Sequence, residues 1–116
     1  MTGFDIFESA ILRLGLVNVK GSLEQQLPFR KTALSIINEL AFDLCKAGPI
    51  ASLHDKLDID REAGVVISYG TAYVLATITG ETEKQMTMLA LFNAKRKLYL
   101  GKIGRITDKS PNISGG

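Results

Sequence analysis

His54 is the only histidine of the chain and is followed directly by Asp55. A carboxylate beside an imidazole can orient it for proton transfer, but a reaction also needs a nucleophile or a second acid within reach. No motif sets a serine or cysteine beside the pair, and Cys45 lies earlier, in the apolar stretch AFDLCKAG. His54 is therefore expected to face solvent from a loop, and Cys45 to be a buried structural thiol. Asp55, Asp58, Asp60 and Glu62 form a second cluster, with the look of a cation loop. A calcium-binding EF-hand loop needs glycine at its sixth position and glutamate at its twelfth. Counted from Asp58, those positions hold Ala63 and Tyr69, so helix capping is the better account of these acids. No GxxxxGK[ST], GxGxxG or paired CxxC occurs. The expectation is a protein that is not an enzyme, with no cofactor and no metal.

One stretch carries chemistry of another kind. Lys95, Arg96, Lys97, Lys102 and Arg105 cluster late in the chain, around Gly101-Lys102-Ile103-Gly104. GKIG matches the GxxG loop with which KH domains clamp a nucleic-acid backbone, and Tyr99 stands ready to stack on a base. The pattern is short, and a KH loop lies between two helices, whereas this one precedes a tail. The competing reading is that the glycines end a helix whose lysines are solvated.

The elements that must position these groups follow from composition and periodicity. At 116 residues, 46% hydrophobic and 22% charged, the chain is expected to fold as one globular domain over residues 1–105, followed by a polar, flexible tail over 106–116. A net charge of +2 does not by itself call for a polyanionic partner. The acids in MTGFDIFES predict no signal peptide, and the uncharged run from Gly64 to Gly80 carries too many polar residues for a membrane span. A cytosolic, soluble chain is the expectation.

Phe4, Phe7, Ile11 and Leu14 mark one stripe of a first helix, capped by Thr2 or Asp5 and stopped by Gly15. Residues 16–21 form a connection that could run extended. Ser22 with Gln25 has the spacing of a capping box for a second helix, and Pro28 suggests that the true first turn starts later. Phe29, Ala33, Ile36, Ile37, Leu40, Leu44 and Ala47 give that helix its buried face. Arg30, Lys31, Asn38 and Asp43 point outward, and Gly48-Pro49 ends it. A long connection spans 49–60; Leu53 and Leu57 can touch the core there, with neighbouring acids limiting their burial. Asp58 or Asp60 caps a third helix running to about Thr79. Val65, Val66, Ile67, Val74 and Ile78 suit strands equally well, so a hairpin at Gly70 stays open beside the helix. If helical, Gly70, Ala72 and Ala76 let a neighbour approach closely. Gly80 turns the chain into a fourth helix, with Met86, Leu89, Leu91, Phe92, Leu98 and Tyr99 as core contacts and Gly101 and Gly104 as its end. Met88, Leu91 and Leu98 point differently from Met86, Leu89 and Asn93, so this helix has more apolar surface than one face can bury. The fold class is all-α, a small bundle of about four helices.

This order of elements resembles the small head–tail connector, or adaptor, proteins of tailed bacteriophages and prophages. The features are Leu14-Gly15-Leu16 closing the first helix, Ile37-Asn38-Glu39-Leu40 in the second and the loop Leu53-His54-Asp55-Lys56-Leu57. They continue with Tyr69-Gly70-Thr71-Ala72 and Leu75-Ala76 in the apolar helix, then Phe92-Asn93-Ala94-Lys95-Arg96 before a polar tail. The resemblance implies a virion structural subunit made in the bacterial cytoplasm, without catalytic residues. It would form a homo-oligomeric ring between the portal protein and the tail or stopper proteins and extend the DNA channel. Lys95, Arg96, Lys97, Lys102 and Arg105 would then face the DNA channel, without specific recognition, or an acidic portal surface, and the tail would order on meeting its partner. Two rival readings are a small nucleic-acid-binding domain using GKIG and a helical interaction module of other origin.

Overall fold

The computed structural model describes the backbone of residues 1–15 and 23–108, and side chains within 1–15 and 29–103. Four helices follow one another: α1 Gly3–Leu14, α2 Leu23–Cys45, α3 Arg61–Thr79 and α4 Thr82–Asp108. No strand occurs among the described residues; one isolated antiparallel bridge pairs Thr2 with Lys56. The expected connection at 16–21 and the capping role of Ser22 and Gln25 lie outside the described residues, as do residues 109–116 of the expected tail.

α3 is the organising element, packing against each of the other three helices. Its β-branched residues lie in a helix because burial decides: Val66, Ile67, Thr71, Ala72, Leu75 and Ala76 are all buried, and tertiary packing overrides a weak strand propensity. The hairpin alternative at Gly70 is thereby set aside. Gly70 serves another purpose. A Cβ built there would lie 2.6 Å from Leu40 Cδ1 of α2 and 2.9 Å from Phe92 Cε1 of α4, so its missing side chain lets both neighbours close onto α3.

α1 begins with a complete capping box. The Asp5 amide donates to Thr2 Oγ1 and the Thr2 amide donates to Asp5 Oδ2, which satisfies two of the otherwise unpaired amides of a helix start. Gly15, at φ 72°, closes it. α2 runs unbroken through Pro28, so the expected later start at that residue is not found. It ends at Cys45, where Lys46 takes a left-handed conformation, φ 56°, ahead of Gly48 and Pro49. Ala33, Ile37, Ala41 and Leu44 form its buried seam.

The 49–60 connection is more deeply built in than its acids suggest. Leu53 and Leu57 are buried, correcting the expectation of shallow contact. Its carbonyls accept from the start of α1: Phe4 N–H donates to Leu53 O at 2.7 Å and Gly3 N–H to Asp55 O at 3.3 Å, while Leu57 N–H donates to Met1 O at 2.8 Å. The connection thus occupies amides that α1 cannot pair within itself. Asn38, expected to face outward, pins its other end. Asn38 Nδ2 donates to Ile50 O at 2.9 Å, and Ile50 N–H donates to Asn38 Oδ1 at 2.8 Å.

α4 departs most from expectation. Its 27 residues, about 40 Å at 1.5 Å per residue, run straight through Gly101 and Gly104 and past the boundary expected at 105. Met88 and Tyr99 are buried and Phe92 packs against the core, but Met86, Leu91 and Leu98, expected in the core, are exposed. The result is an elongated body of 56 × 31 × 16 Å. No helix among the described residues is long and apolar enough to cross a membrane.

Candidate interaction surface

The residues with catalytic or metal-binding potential are dispersed into structural tasks. His54 is exposed and stacks on Phe4, ring centroids 5.6 Å apart. Asp55 turns back into its own loop, its Oδ2 accepting from the Ala51 and Ser52 amides at 3.1 Å each. Asp60 caps α3 by accepting from Ala63 N–H at 2.7 Å, and Glu62 accepts from Lys102 Nζ at 2.6 Å. Asp55, Asp60 and Glu62 are turned toward different donors, so these three acids do not converge. No grouping of three or more His, Cys, Asp or Glu suited to a metal occurs among the described residues.

The basic run is dispersed as well. Consecutive helical residues project about 100° apart, so Lys95, Arg96 and Lys97, all exposed, point three ways. Of the five candidates, Lys95 and Lys102 alone line a common groove; the Arg105 side chain lies outside the described residues. The GKIG segment is helical throughout. It is neither a loop nor a helix end, and a GxxG clamp of the KH kind has no loop to form from.

Where α3 begins and α4 ends, three elements meet through a chain of polar atoms. Tyr99 Oη of α4 donates to Asp60 Oδ2 at the head of α3, 3.4 Å away, and lies 3.6 Å from Cys45 Sγ at the end of α2. Either partner can donate in the Tyr99–Cys45 contact. Burial, reinforced by Cys45 and by the Asp60 carboxylate, pushes the Tyr99 hydroxyl well above the usual phenol range. Cys45 is half-buried, less enclosed than expected. The chain of contacts fixes Tyr99 as one wall of the neighbouring groove.

That groove, about 330 Å³, lies between α3 and α4. Val65, Val66, Leu98 and Tyr99 give it apolar walls, and Lys95, Lys102 and Glu62 stand around them. Leu98 is 66% exposed. Leu91, seven residues earlier and so on the same side of α4, is exposed too. A second apolar outcrop stands on α2: Phe42 is 55% exposed, with exposed Glu39 and Asp43 beside it and Lys46 Nζ 4.8 Å from its ring centroid. Sequence reading missed Phe42. Its position off the Ala33–Ile37–Ala41–Leu44 seam was the available signal, obscured by leaving Ala41 out of the face.

Searches against protein-family models, curated proteins and solved structures find no match for this chain. The functional reading therefore rests on the residues and their arrangement alone.

Proposed function

We propose that the chain is a structural subunit of a head–tail connector, a ring-forming adaptor between the portal and the tail of a bacteriophage or prophage. The observation that carries this reading is the exposed apolar surface of α4. Between residues 93 and 103 only Tyr99 is buried, while Leu98, Leu100 and Ile103 are all exposed. Exposed leucines scattered singly are ordinary, but Leu91 and Leu98, two turns apart on one side of α4 and both exposed, give a shared apolar strip of the kind a partner covers. A ring subunit needs two different patches, one for each neighbour, and the α4 groove and the Phe42 outcrop supply two. The dispersal of the acids and His54 into structural contacts accords with a subunit that presents surface and holds no reactive centre.

In this reading Lys95 and the other basic residues of α4 meet an acidic neighbour or line the DNA channel without reading sequence. Lys95, Arg96 and Lys97 point three ways, and Lys102, which shares a groove with Lys95, is already held by Glu62. This weighs against the rival reading as a dedicated nucleic-acid-binding domain. The test is genomic and biochemical. Genes for portal, capsid and tail proteins beside this one, and co-purification of the chain with that portal protein, are the expected results. A gene outside any phage cluster, or a chain that binds DNA or RNA as a monomer with steep salt dependence, contradicts the proposal.

A further inference from the structure

The connector reading names a ring but not the surfaces that join its copies, and two exposed features of the fold answer to each other. The first is the α3–α4 groove. Its walls are apolar and one of its bordering cations, Lys102, is already held by Glu62. Lys95 has no ion-pair partner among the described residues. An apolar slot with one uncommitted positive charge fits an apolar side chain flanked by acid. It is a poor seat for nucleic acid, because Glu62 stands beside it and its walls carry few donors. The second feature has the matching chemistry. Phe42 projects from α2 with Glu39 one turn before it and Asp43 at the next position, all three exposed, and with Lys46 Nζ 4.8 Å from its ring centroid.

We infer that the outer face of α2 in one copy docks on the α3–α4 groove of the next, with Phe42 entering beside Leu98 and with Glu39 and Asp43 meeting Lys95. Lys46, which lies over the Phe42 ring, swings off it to the border of the contact as the ring enters. The contact is head-to-tail: each copy offers one outcrop and one groove, so association continues from copy to copy and closes only by rotation. Each exposed apolar group is hidden by the other, with charge setting the register. The inference rests on the ring reading and assigns its interface.

Sedimentation equilibrium of the full chain tests it. The wild type self-associates with increasing concentration. Phe42→Ala and Leu98→Ala each weaken association about thirtyfold, the factor expected for truncating an anchor residue, with the helical circular dichroism unchanged because both side chains are exposed in the single copy. Lys95→Glu weakens association, and so does Glu39→Lys combined with Asp43→Lys. Joining all three reversals in one chain restores it. A wild type that stays monomeric up to its solubility limit, a Lys95→Glu variant that associates normally, or a triple variant that is not restored overturns the contact. A chain that assembles with portal protein yet shows no charge-reversal rescue leaves the connector reading standing and removes this interface. Rescue without any portal binding does the reverse.

Discussion

Single side chains decide how the loops of this protein are held. Asn38 satisfies both backbone groups of Ile50, so Asn38→Ala leaves a donor and an acceptor without their partner and is expected to cost about 1–3 kcal/mol, read from urea denaturation midpoints at unchanged slope. Sequence alone placed Asn38 outward, because an asparagine off the apolar face is ordinarily solvated; its role depends on a loop returning to α2 from twelve residues later. Tyr99 gives a pH prediction. Its folded-state hydroxyl titrates above the ordinary value of 10.0. Above pH 10 the unfolded chain therefore loses a proton that the native chain keeps, and native stability falls as pH rises. The decline is expected to be steeper in wild type than in Tyr99→Phe, by up to about 1.4 kcal/mol per pH unit. Parallel stability–pH curves for the two proteins would contradict the Asp60–Tyr99–Cys45 arrangement.

At the scale of elements, the helices were legible and their ends were partly so. Thr2, Gly15 and Gly80 are local signals, Thr2 through its capping hydroxyl and the two glycines through their left-handed backbone, and each does what its type predicts. Gly101 misled because glycine after an apolar run usually stops a helix. Here Gly101 lies within α4, with no atom within 4 Å of where its Cβ would be. Gly101→Ala is accordingly expected to stabilise the protein by about 0.5–1 kcal/mol, raising the thermal midpoint; a loop serving as a GxxG clamp would lose stability or gain nothing. Gly70 behaves in the opposite way. Gly70→Val drives a branched side chain into Leu40 and Phe92 together and is expected to cost about 1–3 kcal/mol, measurable by the same melt. The face of α4 was only half readable. Leucine and methionine signal burial wherever they occur, and the sequence does not say which neighbours exist to cover them. Met86, Leu91 and Leu98 remain exposed because α4 has one main packing partner, α3.

At the scale of the whole molecule, α3 gathers the core while α4 extends along it with much of its surface uncovered, and this asymmetry links the fold to the proposed function. The candidate basic residues were legible by type; their dispersal around α4 was not, since adjacency in sequence becomes separation on a helix. The groove was not legible at all, because it joins the first turns of α3 to the last turns of α4 across an antiparallel pair. Electron microscopy of the chain co-expressed with the portal protein encoded beside it tests the central claim most directly. The account predicts a closed ring of copies seated on the portal and coaxial with its channel. A portal that emerges bare, with the chain recovered separately as a monomer, would contradict it.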